Sequence, residues 1–220
     1  VGLSSSSDTE VMTMTLARNG GATWEERIKT AMMKWVGAYS LVILTRDCVY
    51  AVRDPWGFRP LCIGMLPSGG HAVASETGAL QTLGCEAIRD VKPGEVVSLS
   101  NNALKVMQAV PPKEPSALCV FEHIYFARPD QTWDGINVHH VRQRLGEELA
   151  REVISGFGHG IADENGQFAD VVIPVPDSSI PAAIGFSHVS GIPYNDGFIK
   201  NRYVGRTFIE PTDSLRKRGV

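Results

Sequence analysis

The sequence has no strong excess of charge of one sign and no long apolar run. Its 220 residues carry 21 Lys and Arg against 24 Asp and Glu, a formal net charge of −3. A protein that binds nucleic acid or an anionic membrane surface is expected to carry a basic excess, and no apolar run approaches the ~20 residues that cross a bilayer. The composition therefore argues against nucleic-acid and membrane partners, while 43% hydrophobic and 20% charged residues argue against disorder.

Cysteine is also scarce, and occurs at Cys48, Cys62, Cys85 and Cys119. Four cysteines in a chain of this length are too few for a disulfide scaffold. They form no CxxC pair and have no short regular spacing, so no zinc site is predicted. We therefore expect a reduced, cytoplasmic protein.

The chain divides into two halves of different periodicity. Residues 37–108 contain short apolar β segments joined by turn formers, a spacing that favours antiparallel strands. A capping box at Thr23–Glu26 predicts a helix before them. The Pro-rich stretch Pro111–Pro115 then predicts a stiff connector and a domain boundary, with domains at 1–112 and 113–220.

The second half predicts an α/β arrangement. We expect a helix from Asn137, a strand buried on both faces over residues 169–174, and a helix over residues 178–187. Strand, turn and helix in that order indicate a parallel sheet. The first of these helices has apolar residues at three- and four-residue spacing, namely Val138, Val141, Leu145, Leu149 and Val153.

Two segments of this half carry candidate binding residues. Pro176–Ser179 places a carboxylate and two hydroxyls before a helix N-terminus, which suits a phosphate or a Mg²⁺-linked ligand. The competing interpretation, which spacing alone favours, is that Ser178 or Ser179 caps the helix and Asp177 complements its dipole. Lys200–Thr207 holds three cations and two hydroxyl side chains around one glycine, which is typical of a loop that closes over a phosphorylated substrate or of a solvated basic loop.

Two segments of the first half contain further polar candidates. Asp54–Leu61 is a turn between strands in which Asp54 and Arg59 could pair, so we predict a structural role for it. Ser4–Glu10 is typical of a helix start, with Asp8 either as the N-cap or as a ligand carboxylate.

Eight motifs of this chain occur in the order that is found in one protein family. They are SDTE (Ser7–Glu10), GAYSLVIL (Gly37–Leu44), DPWGFRPL (Asp54–Leu61), ASETGAL (Ala74–Leu80), VKPGE (Val91–Glu95), CVFEHIYFARPD (Cys119–Asp130), VPDSS (Val175–Ser179) and KNRYVGRTFI (Lys200–Ile209). Through them the chain resembles the amidophosphoribosyltransferases over nearly its whole length. The longer motifs are specific, whereas SDTE alone would be weak.

The resemblance implies an α+β glutaminase domain of the Ntn type, with antiparallel sheets and helices, followed by an α/β type I phosphoribosyltransferase domain, both incomplete here. In the family the first domain releases ammonia from glutamine. The second uses the ammonia to displace pyrophosphate from phosphoribosyl pyrophosphate (PRPP), which gives 5-phosphoribosylamine in the first committed step of purine biosynthesis. By position, Asp8 would bind the α-amino group of glutamine. The loop over PRPP would contain Lys200, Arg202, Tyr203, Arg206 and Thr207.

The resemblance also implies cofactors and partners. Ser178 would lie at the site of Mg²⁺ and PRPP. Cys119 matches a ligand of a [4Fe-4S] cluster in the cluster-bearing branch of the family, but members without the cluster can also have this Cys, and a cubane cluster needs four thiolates. Purine nucleotides are expected as feedback inhibitors, and the full-length protein is expected to form a homotetramer.

Two parts of the family pattern fall outside the sequence. The nucleophilic Cys should be the first residue of the mature chain, upstream of SDTE, and an acidic, Gly/Thr-rich PRPP-binding loop should follow Arg216–Val220. We therefore expect an internal fragment that is inactive alone in both half-reactions.

Three alternatives compete with this interpretation. The chain could be a non-catalytic PRPP-binding protein or a degenerate amidotransferase relative. It could be an amidotransferase with a sugar-isomerase partner, which VPDSS and KNRYVGRTFI do not fit. A pure interaction module would explain neither of those two segments.

Overall fold

The structure is a computed structural model that describes residues 2–100, 103–133, 135–156, 169–203 and 212–218. The chain divides into two compact units, Val1–Val138 and His139–Val220. The boundary expected after Pro112 therefore lies inside the first of these units.

The first unit is built from antiparallel strands and short helices. The helices are α1 (Asp8–Arg18), α2 (Trp24–Met32) and α3 (Thr77–Thr82), and a π-helical turn spans Glu122–Phe126. The strands are β1 (Ser40–Leu44), β2 (Val49–Arg53), β3 (Cys62–Met65), β4 (His71–Ala74), β5 (Glu86–Asp90), β6 (Glu95–Ser100), β7 (Ala103–Gln108), β8 (Thr132–Trp133) and β9 (Ile136–Asn137).

The strands form a four-stranded sheet in the order β1-β2-β6-β7, a three-stranded sheet in the order β4-β3-β5, and the β8-β9 hairpin. Every pairing within these sheets is antiparallel. The antiparallel arrangement predicted for residues 37–108 is therefore confirmed.

The two larger sheets stack between helices. On one face of the four-stranded sheet, α1 and α2 bury Leu16 and Ile28 against Val52 of β2. On its other face, Ala51 packs against Ile63 of the three-stranded sheet, whose far side is covered by α3. Because successive side chains of a strand alternate between faces, β2 contributes to both cores.

The loop between β2 and β3 is fixed by the two residues at its start. The fully buried Asp54 carboxylate accepts hydrogen bonds from four backbone N–H groups at 2.9–3.5 Å. The Arg53 guanidinium donates to three backbone carbonyl oxygens at 2.7–3.0 Å. Arg59 pairs with Glu122, so the Asp54–Arg59 pair considered from the sequence is wrong, while the structural role of the loop is confirmed.

The Pro-rich connector and the residues that follow it contact this loop. The backbone N–H groups of Lys113, Ala117 and Cys119 donate to carbonyl oxygens of the loop at 2.7–2.9 Å. These bonds explain why residues 113–138 group with the first unit.

The second unit contains two long helices that approach each other closely. They are α4 (Val138–Gly156), which begins at the last residue of the first unit, and α5 (Ile180–Ser190); the short helix α6 spans Asp213–Arg218. A Cβ on Gly146 would overlap the carbonyl oxygen of Ala182, and one on Gly185 would overlap that of Gln143. Glycine is therefore required on both helices at this contact. Among the described residues, no helix combines the length and the apolar character that crossing a membrane demands.

The buried side of α4 differs from the predicted apolar face. Gly146 and Ala150 are buried, whereas Leu145 and Leu149 are 46% and 52% exposed. The predicted face is confirmed at Val138, which is fully buried, and is wrong at Leu145 and Leu149. A close helix contact selects small residues, which a search for large apolar residues does not detect.

Residues 169–174 do not form the doubly buried strand that the sequence predicted. Val172 makes one parallel bridge, to Tyr194, whereas Val171 and Ile173 are 37% and 42% exposed. Burial of both faces requires covering layers on both sides, and in the described part of this unit the only bridging neighbour of Val172 is the segment around Tyr194.

Candidate functional sites

Asp8 lies on the exposed first turn of α1. Ser7 is the N-cap, since its Oγ accepts a hydrogen bond from the Thr9 N–H at 3.3 Å. The interpretation of Asp8 as the N-cap is therefore wrong. Its carboxylate is exposed at a helix end that favours negative charge, and such a carboxylate can bind the ammonium group of a ligand.

The segment before α1 is folded back on the same turn by Glu10. One carboxylate oxygen of Glu10 accepts hydrogen bonds from the backbone N–H (2.9 Å) and the hydroxyl (2.7 Å) of Ser4. The other accepts from the backbone N–H (2.8 Å) and the hydroxyl (2.7 Å) of Ser5. These bonds, with that from the Ser4 N–H as the largest contribution, lower the pKa of Glu10 to about 2. This contact was not predicted from the sequence, although serines five and six residues before an acidic residue indicate it.

The segment predicted to bind phosphate leads directly into α5. Ser179 occupies the N-cap position, but its side chain does not cap the helix; its Oγ donates to the carbonyl oxygen of Val175 instead. The capping interpretation is therefore wrong for Ser179. Ser178 is half-buried in the same turn.

The structure brings the two predicted phosphate segments together. Lys200 Nζ lies 3.2 Å from Asp177 Oδ2. Both side chains are more than half exposed, at 55% and 58%, and an exposed pair of this kind contributes only about 0–1 kcal/mol. Lys200 can therefore exchange Asp177 for an anionic ligand at small cost.

The remaining residues of the predicted loop are only partly described. Arg202 and Tyr203 are exposed, and the Tyr203 N–H donates to the Asn201 side-chain oxygen at 3.0 Å. Arg206 and Thr207 lie outside the described residues.

The oxygen donors at the start of α5 fit Mg²⁺. This ion prefers oxygen ligands, keeps several waters, and usually takes one or two protein ligands together with substrate phosphates. Asp177 and Ser178 supply such donors in adjacent positions. The site therefore fits the ion when a phosphorylated substrate provides the other ligands.

The cysteines of this chain do not by themselves fit an iron–sulfur cluster. Cys62 and Cys85 pack in the apolar core between α3 and the three-stranded sheet, whereas the Cys119 N–H bonds to the loop after β2. Within the described ranges, no three His, Cys, Asp or Glu side chains form a group that could hold a metal ion. Since a cubane cluster needs four thiolates, the role of Cys119 stays a prediction.

An ion pair between a buried carboxylate and a partly exposed cation was not predicted from the sequence. The Glu122 side chain is 5% exposed, and its Oε1 lies 2.9 Å from Arg59 Nη2. The Arg59 guanidinium carbon also lies 4.8 Å from the centre of the Phe126 ring. Burial raises the pKa of Glu122, Arg59 acts against this rise, and Glu76 adds to it. All four side chains border a cavity of about 320 Å³.

Comparisons with known proteins test the resemblance that the motifs indicate. A family model described as a glutamine amidotransferase domain matches residues 1–82. The chain is 44% identical to the amidophosphoribosyltransferase of Methanocaldococcus jannaschii, over 98% of the chain and 46% of that relative. It is 40% identical to the amidophosphoribosyltransferase of Mus musculus, over 100% of the chain and 44% of that relative. The resemblance to the amidophosphoribosyltransferases is confirmed. The chain spans less than half the length of these relatives.

A solved structure agrees with this result. The glutamine PRPP amidotransferase from B. subtilis, complexed with ADP and GMP, is 42% identical to the chain and matches it with a TM-score of 0.80. The match covers 100% of this chain and 45% of that one. The antiparallel sheets and helices of the first unit correspond to the amidotransferase domain of such enzymes.

Proposed function

We propose that the full-length protein containing this chain is an amidophosphoribosyltransferase. It converts glutamine, PRPP and water to 5-phosphoribosylamine, glutamate and pyrophosphate. The observation that carries the proposal is the contact of Lys200 with Asp177, because it joins the two phosphate segments in a chain that is similar to this enzyme family along its whole length.

At the phosphate side, the basic loop binds the anionic groups of PRPP. Lys200 and Arg202 supply positive charge where negative charge develops on the departing pyrophosphate, and Arg206 and Thr207 belong to the same loop. Closure of this loop excludes water, which would otherwise compete with ammonia for the ribose carbon. When bound, Mg²⁺ neutralises charge on the pyrophosphate, and Asp177 and Ser178 are the residues that would hold it.

At the amide side, Asp8 binds the α-amino group of glutamine. The exposed position of its carboxylate on the first turn of α1 supports this role. The amide nitrogen leaves glutamine as ammonia in this half and reacts with PRPP in the other.

Several finer features belong to the same proposal. The second unit is part of an α/β type I phosphoribosyltransferase domain, and the full-length protein is a cytoplasmic homotetramer that purine nucleotides inhibit. The complex of the B. subtilis relative with ADP and GMP supports nucleotide binding. An iron–sulfur cluster bound through Cys119 would require further cysteine thiolates from other parts of the full-length protein.

The test is the Lys200→Gln variant of the full-length protein. We expect the KM for PRPP to rise about tenfold, which corresponds to one charge-assisted hydrogen bond of about 1.5 kcal/mol, while the KM for glutamine stays unchanged. Lys105→Gln, a charge change at an exposed position of β7, is the matched control and should leave both constants unchanged. An unchanged KM for PRPP in Lys200→Gln would contradict the assignment of the loop.

A further inference from the structure

We propose that Glu10 is a positioning residue of the glutamine subsite, because the four hydrogen bonds that its carboxylate accepts hold residues 4–7 against the first turn of α1 and so fix the place of Asp8. The inference rests on the proposed role of Asp8 in binding the α-amino group of glutamine.

A network of hydrogen bonds links Ser4, Ser5 and Ser7 to Glu10 across the position of Asp8, and we call this network the Glu10 frame. Ser4 and Ser5 bind the Glu10 carboxylate with both their N–H groups and their hydroxyls. The Ser5 Oγ also accepts the Ser7 N–H at 3.2 Å, and Ser7 in turn caps α1. Asp8 is thus fixed from both sides, by the N-cap before it and by the Glu10 contact after it.

Burial does not hold the segment before α1 in place. Residues 2–9 are all exposed, so packing in the core contributes little to the position of this segment. The Glu10 bonds are charge-assisted and therefore among the stronger hydrogen bonds available to an exposed turn.

The frame also determines which carboxylate is open to a ligand. An ionised carboxylate has about four lone-pair sites, and at Glu10 four donors from Ser4 and Ser5 occupy them. Asp8 is consequently the carboxylate of this turn that can accept hydrogen bonds from an ammonium group. Of the two carboxylates in this turn, that of Glu10 holds the serines and that of Asp8 can bind the ammonium group.

The test is the Glu10→Gln variant of the full-length protein. Its amide nitrogen would face the backbone N–H of Ser4 or Ser5, which is also a donor, so at least that hydrogen bond is lost. We expect the KM for glutamine to rise roughly tenfold, since small displacements of a binding group have large effects. The KM for PRPP and the rate with ammonium chloride as the nitrogen source should stay unchanged, because ammonium bypasses the glutamine subsite.

Two further variants make the experiment decisive. Glu26→Gln is the matched control, since Glu26 accepts a single backbone hydrogen bond, from Ala22 at 2.8 Å, at the start of α2; it should leave the KM for glutamine unchanged. The Ser4→Ala, Ser5→Ala double variant keeps the two backbone bonds to Glu10, but it loses both hydroxyl bonds and the bond from the Ser7 N–H to the Ser5 Oγ. It should therefore also raise the KM for glutamine. It also keeps the proposal testable where Glu10→Gln does not fold.

The outcomes separate this inference from the proposal on which it rests. If Asp8→Asn raises the KM for glutamine while Glu10→Gln and the serine variant do not, the positioning role is refuted and the role of Asp8 stands. If Asp8→Asn has no effect, the role of Asp8 is refuted and the inference falls with it. Equal loss of the glutamine- and ammonium-dependent rates in Glu10→Gln would show a structural role only, and would also overturn the inference.

Discussion

Replacing Arg59 by Gln removes the cation from a carboxylate that lies inside the protein. The Glu122 side chain is 5% exposed and that of Arg59 is 43% exposed. Loss of one partner from a fully buried pair costs about 3–5 kcal/mol, but here solvent already screens the Arg59 side of the pair. The lost cation–π contact with Phe126 adds about 0.5–1 kcal/mol. We therefore expect Arg59→Gln to lower the free energy of unfolding by about 2 kcal/mol.

Replacing Glu122 by Gln should destabilise the chain far less than replacing Arg59 by Gln. Glu122→Gln removes the buried charge and leaves Arg59 with access to water, so the free energy of unfolding should stay within about 1 kcal/mol of the unsubstituted chain. In the double variant both charges of this pair are removed. It should therefore be more stable than Arg59→Gln alone, by about 1 kcal/mol. Urea unfolding at pH 7, followed by tryptophan fluorescence and circular dichroism, measures all four proteins.

The pH dependence provides an independent check of the same pair. Burial raises the pKa of Glu122 in the folded state. A raised folded-state pKa gives a stabilising contribution that is complete below the unfolded pKa of about 4.3 and is lost as the pH rises through the folded pKa. Compared with Glu122→Gln, the unsubstituted chain should therefore lose stability from about pH 4 upward, and Arg59→Gln should lose more. Greater destabilisation by Glu122→Gln than by Arg59→Gln would contradict this description of the pair. A difference in unfolding free energy between the two variants that does not change with pH would also contradict it.

Two predictions concern other parts of the chain. Gly146→Ala forces a methyl group onto the Ala182 carbonyl and should cost about 1–3 kcal/mol in urea unfolding. Gly156→Ala, whose methyl group meets no atom of the described residues within 4 Å, should cost nothing, and equal effects would contradict the helix contact. Burial is the main cause that raises the pKa of the Cys62 thiol to about 12, so at pH 8 only about one thiol in 10⁴ is ionised. Iodoacetamide, read by mass spectrometry, should modify Cys62 only after unfolding, and rapid labelling of the native protein would contradict its buried position.

The antiparallel first unit was predictable because its signals are local. Turn formers and short apolar runs mark most of its strands, and the capping box at Thr23 marks α2, where the Thr23 Oγ1 accepts the Glu26 N–H at 3.2 Å. Strand β5 (Glu86–Asp90) and helix α3 (Thr77–Thr82) were missed. The first is largely polar and the second is only six residues long, so neither has a clear periodicity.

Contacts between residues that are far apart in the sequence could not be predicted from the spacing of residue types along the chain. Lys200 and Asp177 are 23 positions apart, and Arg59 finds Glu122 in a segment that the sequence assigned to the other domain. Helix α4 buries the side that carries Gly146, because only a residue without a side chain fits against Ala182 there. A pattern of large apolar residues does not indicate this side. The motif resemblance supplied the candidate site residues, and the structure supplied the partners of Lys200 and the Glu10 frame next to Asp8.

An assay of the full-length protein with glutamine and PRPP tests the proposed activity. With glutamine and PRPP we expect pyrophosphate and glutamate to appear in equal amounts. Pyrophosphate release should require PRPP together with a nitrogen source, which is either glutamine or ammonium chloride. Binding of PRPP without pyrophosphate release from either nitrogen source would contradict the claim and favour a protein that binds PRPP without catalysis.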